Sequence, residues 1–353
     1  KFEGRFGPKL PRVSDGSMLF LLHLLSKLED PAKGGGRAAI VLSGSPLFNG
    51  NAGQGESEIR RHLLEQDVVE AIIALPTEIF FRTGIGTYIW VLSNRKPADR
   101  RGKVQLIDAT EMYEPLRKSE GNKRRKIGDD QIRDIVQLYA DFEPTKKSLI
   151  LDAQDFGYRR IRVLRPLRHK IVVSDAGFEA LAENTAWAKR TDDQRQGWRD
   201  ALAKYAGTDH DWHWIDSFAK AAAKKDANLG KADAALIKAF QKAFGVRDED
   251  LDPVKDKKGN LIPDDDLTDY ENVPMGTDIH DYLATEVTPH AHDAYIDETY
   301  VDETDGDIGI VGYEINFNRY FYEYVPPRDL DEIDAELKAI EASIAEVLAE
   351  VTE

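Results

Sequence analysis

Phe80, Phe81 and Arg82 stand directly before a Gly-Ile-Gly turn in "LPTEIFFRTGIGTYIWVLSNRK", between two runs that read as buried strands. A loop that only joins strands is usually polar, because water satisfies its backbone cheaply. Two large rings in such a loop either plug the core, the commoner fate of a phenylalanine, or stand at a rim to stack on something planar. A second candidate is "DFGYRRIRVLRPLRHK", with Arg159, Arg160, Arg162, Arg165, Arg168 and Lys170 within twelve positions. It reads either as a solvated, salt-bridged strand or as a face that meets phosphates.

Much other chemistry is excluded. The chain has no cysteine, which removes disulfides, thiolate zinc sites and cysteine nucleophiles. His210/His213 and His290/His292 have the spacing of ligand pairs but recruit no carboxylate in a strand or helix context, so no metal site is expected. "DEDLDPVKDKKGNL" misses the glycine and closing glutamate of a calcium loop. The glycine-rich stretch 43–55 lacks the Lys-Ser/Thr of a phosphate-binding loop, and no GxGxxG follows a strand. Its glycines read as conformational freedom near a bound polymer.

The elements that must position these residues follow from periodicity. "SDGSMLFLLHLLSKLED" reads as a helix capped by Ser14 or Asp15, apolar nearly all round and hence buried on a sheet. "RAAIVLSGS" is a short apolar run between glycines, as in a central parallel strand. "ESEIRRHLLEQ" is an amphipathic helix with two glutamates in its first turn, where the helix dipole favours them. "VVEAIIALP", "TYIWVLSNR" and "KVQLIDAT" are three more strands, the last too closely spaced for helical crossovers, so at least one pair should be antiparallel. Ligands of such sheets sit outside the carboxyl ends of the strands, which puts loop 43–55 and the start of "LPTEIFFRTG" on the functional rim.

Beyond this sheet, residues 117–126 read as a basic loop, a helix follows near 128–141, and residues 175–245 look helical. Residues 247–271 read as an acidic surface loop, and "GYEINFNRYFYEYVPP" as an aromatic segment packed back on the body. The overall charge of −16 is uneven: residues 1–170 carry +8 and residues 171–353 carry −24. An acidic chain is a poor nonspecific nucleic-acid binder, yet its basic half can meet a phosphate backbone. The segments implied are 1–112, 113–170, 171–311 and 312–353. No run of about 18 apolar residues exists to span a membrane. The N-terminus has no signal-like apolar region, so the expected location is cytoplasmic.

Leu330, Ile333, Leu337, Ile340, Ile344, Val347 and Val351 recur at alternating steps of three and four. Asp329 and Glu332 form a capping-box-like start. This is an a/d seam of about three heptads. It serves either an intermolecular helix or a helix docked on its own domain, and the narrow stripe favours the former.

"DGSMLFLLHLLSKL", the run from "GGRAAIVLSGSPLFNGNAGQGESEIRRHLLEQ" through "LPTEIFFRTGIGTYIWVLSNRK", "DFGYRRIRVLRPLR", "ENVPM" and "GYEINFNRYFYEYVPPRDLDEIDAEL" closely resemble the modification subunit of type I restriction–modification systems. The resemblance is in order over essentially the whole chain and weakest at 186–245. It implies a DNA adenine-N6 methyltransferase using S-adenosylmethionine. The implied fold is α/β: the second half of a doubly wound class I methyltransferase sheet with an antiparallel final hairpin, then a mainly helical C-terminal region and a terminal coiled-coil-like helix. The family's glycine-rich cofactor loop and Asn-Pro-Pro-Phe/Tyr tetrapeptide are not in this sequence. The chain therefore reads as a C-terminal fragment, inactive alone and without bound cofactor, with the catalytic motif upstream. The resemblance also implies that Phe80, with Phe81 beside it, faces a flipped target base. Arg82, Arg159, Arg160, Arg162 and Arg165 are then DNA contacts. Implied partners are DNA, the specificity subunit through the terminal helix, and through it the restriction (translocase/nuclease) subunit. The alternatives are a DNA- and subunit-binding module without catalysis, or a stand-alone adenine methyltransferase.

Overall fold

The computed structural model describes residues 4–324 and 326–352, with the side chains at 346 and 349–352 outside that description. The chain forms two compact units, one running to Phe156 and resuming at Glu314, the other comprising Gly157–Tyr313. The first break lies before the charge-based division at 170, because charge sign follows surface composition whereas packing follows the strands, and the second lies beside the expected division at 312.

In the first unit, β1 (Arg37–Ser43), β2 (Val69–Leu75), β3 (Thr87–Ser93), β4 (Lys103–Asp108) and β7 (Ser148–Asp152) form one sheet, ordered β1-β3-β2-β4-β7. The four strands read from the first half of the chain all form. The antiparallel hairpin is β2–β3, with Ile73 opposite Ile89 and Leu75 opposite Thr87. β2 and β4 are parallel. The rows Trp90–Ile72–Leu106 and Ile89–Ile73–Ile107 cross the sheet in register. Pleating sends these rows to opposite faces. The second row packs with Ile135 and Leu138 of α4 (Asp129–Asp141), while Trp90, Ile72 and Leu106 are completely buried on the other side.

β1 departs from its expected place. It is not a central parallel strand: it pairs antiparallel with β3, Ser43 opposite Thr87, and among the described residues no strand pairs with its other side. Its exposure alternates accordingly, leaving Val41 45% exposed. An apolar run looks the same on an edge as in the middle, because its composition does not say how many neighbours it has. Helix α1 (Ser17–Leu25) buries Met18, Leu21 and Leu22 but leaves Phe20 open to solvent, so it is not buried all round. Its N-cap is Gly16 with no capping side chain, rather than Ser14 or Asp15; Asp15 accepts the amide and hydroxyl of Ser17, the first residue of the helix.

The basic stretch 117–126 is a hairpin rather than a loop, made of β5 (Glu114–Glu120) and β6 (Lys123–Lys126). At the opposite end of β2, buried Glu70 accepts the Tyr139 hydroxyl at 2.5 Å and pairs with Arg37 and Arg100. Burial and that hydrogen bond push the Tyr139 phenol up to about 12.

The second unit is not only helix and loop. β8 (Gly157–Leu164) is flanked by β12 (Asp269–Pro274), β13 (Tyr295–Ile296) and β14 (Ile310–Tyr313), all antiparallel to it. A smaller sheet, β10-β9-β11 (Asp209–Asp211, His169–Val172, Gly245–Arg247), joins helices α5 (Asp175–Ala182), α6 (Thr185–Ala188), α7 (Asp192–Ala203), α8 (Trp214–Lys225) and α9 (Ala234–Phe244). Their core is Trp187, Trp198, Phe240 and Phe244. Helix α10 (Ile279–Tyr282) precedes β13.

The chain re-enters the first unit through α11 (Phe317–Phe321). The aromatic segment packs back there as expected: Phe317 meets Tyr88 edge-on at 5.4 Å, and Tyr320 meets Phe156 at 5.8 Å. Helix α12 (Leu330–Thr352) closes the chain, begun by Asp329 accepting the amide of Asp331.

Candidate functional site

β1 and β2 both end opposite Thr87, the first residue of β3. The loops after them therefore leave the sheet at the same, carboxyl, end. This is the rim where an open α/β sheet holds its ligands.

The loop after β2 begins with Pro76 and turns at Glu78, whose φ of +61° lies in the left-handed region. A non-glycine residue held there costs of order 1–3 kcal/mol, so the surroundings must impose it. They do. The carbonyl of Glu78 accepts the main-chain amides of Arg124 at 2.9 Å and Arg125 at 3.2 Å, and the carbonyl of Phe81 accepts that of Asn122 at 3.3 Å. The Arg125 guanidinium donates to the Thr77 hydroxyl and lies 4.1 Å from the centre of the Tyr113 ring. The β5–β6 hairpin is thus bonded to the aromatic loop through its main chain.

Held this way, the loop sends Ile79 into the core and its other large side chains outward. Phe80 is 39% exposed, Phe81 58% and Ile85 58%. The rings do not plug the core. Exposed Arg82 lies 5.9 Å from the centre of the Phe81 ring. This is an apolar, partly aromatic tip with cations on its flank.

The loop after β1 is fixed differently. It runs through α2 (Ser45–Phe48) into α3 (Gly55–Glu65). Arg60 of α3 is fully buried, and its guanidinium donates to the carbonyls of Pro46 at 3.0 Å, Asn49 at 2.7 Å and Gly50 at 3.3 Å. Buried Glu56 accepts the amide and the guanidinium of Arg12. These bonds outweigh the cost of burial and hold the Glu56 carboxyl below its usual range. A side chain at Gly55 would meet the Leu10 carbonyl at 1.8 Å, so only glycine admits that close crossing. The glycine-rich loop is consequently closed by the protein itself. Glu56, Arg60, Leu63 and Leu64 share the buried stripe of α3, and two charges on such a stripe are the signal that could have revealed this clasp.

The arginines of β8 and its continuation lie in the second unit and are engaged by the acidic half of the chain. Arg159 pairs with Asp305 at 2.6 Å, Arg162 with Asp297, and Arg165 and Arg168 share Asp293 at 2.7 and 3.2 Å. Arg160 lies 4.6 Å from the Tyr270 ring centre. These are the ion pairs that the salt-bridged reading expects. Asp305 is held below its usual range first by the Arg159 hydrogen bond. Burial would raise Asp293 and Asp297, but hydrogen bonds, including those from the arginines, lower both.

Along α12, Leu330, Leu337, Ile340, Ile344 and Val347 are each more than half exposed, and Ile333 is partly covered. Val351 belongs to the helix, but its side chain lies outside the described residues. The described part of the seam is unpartnered. Among the described residues no cluster of ligating side chains could hold a metal ion, and no helix is long and apolar enough to cross a membrane.

Residues 2–155 match the family described as N-6 DNA Methylase, a stretch that ends one residue before the break between the two units. Over this stretch, which is less than half of the chain, it is similar to the methylase subunits of type I restriction enzymes. It is 32% identical over 107 residues to the type I restriction enzyme MjaVIII methylase subunit of Methanocaldococcus jannaschii, covering 30% of this chain and 18% of that one. To the EcoKI methylase subunit of Escherichia coli it is 27% identical over 131 residues, covering 36% and 23%. A type I methyltransferase subunit of known structure from Streptococcus thermophilus aligns with a TM-score of 0.38 at 30% identity, covering 44% of this chain and 31% of that chain. The matched region spans about a fifth of the length of the curated relatives.

Proposed function

We propose that this chain is part of a site-specific DNA adenine-N6 methyltransferase, the modification subunit of a type I complex, and that Phe80 with Phe81 forms one wall of the pocket for an extruded adenine. The observation that carries this reading is the pair of exposed rings on a backbone-bonded loop at the carboxyl end of β2, a strand buried along its whole length. A base leaves the duplex at a cost of a few kcal/mol, which stacking in the pocket helps recover. Rings already held in place lose little freedom on binding the base, so more of the stacking energy is retained.

The residues present do not fit an S-adenosylmethionine site. The glycine-rich loop that follows β1 spends its carbonyls on Arg60, and no described strand leads into a cofactor loop. The reading assigns the methyl donor and the base-holding Asn-Pro-Pro-Phe/Tyr motif to upstream residues of the full-length protein, on strands that would continue the sheet from the open side of β1. The exposed seam of α12 supports a helical partner, which the reading identifies as the specificity subunit.

The test is methyl transfer by the full-length assembled enzyme. Phe80→Ala should lower kcat, and Phe80→Trp or Phe80→Tyr should retain it, since any ring can stack. Equal turnover in all three would remove Phe80 from the pocket and the reading with it.

A further inference from the structure

We infer that the β5–β6 hairpin is a clamp for the phosphate backbone of duplex DNA, placed beside the aromatic tip. The inference rests on the reading of Phe80 as a base-stacking residue and adds a second contact surface to it. Glu114–Lys126 holds six lysines and arginines against two glutamates, in a chain of net charge −16. So strong a local excess of one sign attracts a polyanion even from an acidic protein.

Three observations separate this patch from the arginines of β8. The first is availability. Arg117 and Lys118 are exposed and have no ion pair among the described residues, and Arg124 is 69% exposed with its carboxylate neighbour, Glu78, at 3.9 Å. Arg159, Arg162 and Arg165, by contrast, sit on close carboxylates. The second is rigidity. An isolated two-stranded hairpin is marginal in water, but this one is tied at Asn122, Arg124 and Arg125 to the loop that carries Phe80 and Phe81. Its charges therefore stay at a fixed position relative to the rings. The third is shape, since a two-stranded ribbon is one of the few elements that a DNA major groove admits.

An enzyme that pulls one base out of the stack must hold the flanking backbone while it does so. A contact that neutralises phosphates positions the protein without reading sequence. Arg117, Lys118 and Arg124 supply such contacts.

The experiment is the salt dependence of DNA binding by the full-length enzyme carrying Arg117→Ser, Lys118→Ser and Arg124→Ser together. Each lost phosphate contact should make the slope of log affinity against log salt shallower by about 0.9, so roughly 2–3 units in total. Sequence preference and the fluorescence of 2-aminopurine at the target position should be unchanged. Phe80→Ala should do the converse, altering the fluorescence and leaving the slope alone. An unchanged slope in the triple variant, with its melting temperature preserved, overturns the clamp while leaving the stacking reading standing. A changed slope with normal fluorescence in Phe80→Ala keeps the clamp and removes the stacking wall. If the triple variant melts early, Arg117→Ser with Lys118→Ser decides, since neither side chain has a described ion pair. Loss of subunit assembly with an unchanged slope would assign the patch to an acidic protein and also overturn the clamp.

Discussion

The Arg60 guanidinium stands 2.7 Å from the carbonyl oxygen of Asn49, with the side chain buried beneath a loop that sequence alone reads as free. Three carbonyls from Pro46 to Gly50 converge on that group. Arg60→Leu would leave them without that donor, the Pro46 carbonyl in a buried place and the other two partly buried, and Arg60→Lys would present a point charge where a planar fork is needed. Hydrogen bonds to a charged group are each worth about 1.5–3 kcal/mol when broken on one side. Urea unfolding of Arg60→Leu should therefore show a loss of about 2–4 kcal/mol, with Arg60→Lys in between. A loss below about 1 kcal/mol would mean that the loop is held by something else.

Phe80 is too exposed to act as a core plug. Surface substitutions usually change stability by less than about 0.5 kcal/mol, so Phe80→Ala should leave the melting temperature almost where it was. The cost should appear in DNA instead, as the loss of one base stack worth about 1–3 kcal/mol. A melting temperature that falls as far as for a buried phenylalanine, about 3–5 kcal/mol in stability, would return the ring to the core.

The isolated chain should not bind S-adenosylmethionine. The expectation rests on two features: among the described residues no strand lies beyond β1, and the loop after β1 turns its carbonyls onto Arg60. Calorimetry is the direct check, and stoichiometric binding at micromolar concentration would overturn the reading of the chain as a part of the catalytic domain.

The second unit should be acid-sensitive through Asp293, Asp297 and Asp305. Each has its folded-state pKa held below the usual carboxylate range, with arginines contributing to all three. A depressed carboxylate stabilises the fold fully above its unfolded value, near 3.9 for aspartate, and this contribution is lost as pH falls through the folded value. Stability should be flat from neutral pH down to about pH 5 and fall below that. Asp293→Asn, which removes the acceptor shared by Arg165 and Arg168, should cost about 1–3 kcal/mol at pH 7. It should also make the acid limb less steep. An acid limb identical to that of the parent protein would show that this pairing is not what titrates.

What the sequence disclosed and what it hid divide along one physical line. Periodicity reports which face of an element is apolar, so β2, β3, β4 and the α12 seam are readable from Ile72, Trp90, Leu106 and Leu337. It does not report neighbours. β1 has the composition of a central strand, yet Val41 is exposed because no described strand lies beyond it. The tip was legible because two adjacent phenylalanines before a glycine turn conflict with the ordinary chemistry of a loop. The support of that tip was not legible. Glu78 is held left-handed where Arg124 and Arg125, more than forty positions away, donate their main-chain amides to its carbonyl. Likewise the arginines of β8 and its continuation read either as salt-bridged or as phosphate contacts, and their carboxylate partners, Asp293, Asp297 and Asp305, lie 128 to 146 positions further on.

Helix α12 should be a partner surface rather than part of the body. Its 23 residues carry Leu337, Ile340, Ile344 and Val347 in the open, at the three-four spacing of a coiled-coil seam. A helix of this length is only marginally stable by itself, since most helical stability comes from packing the apolar face. The seam therefore calls for a second helix, and the specificity subunit of a type I complex is the partner that the reading supplies. Leu337→Asp with Ile344→Asp would place two charges in a dry seam, where an unpaired charge is costly. The double variant should fail to co-purify with the specificity subunit, while the melting transition of the body stays within about 1 kcal/mol of the parent, as substitutions at exposed positions usually do. If the variant still assembles, the partner lies elsewhere. If the body unfolds with the substitution, the stripe is an internal seam rather than a partner surface.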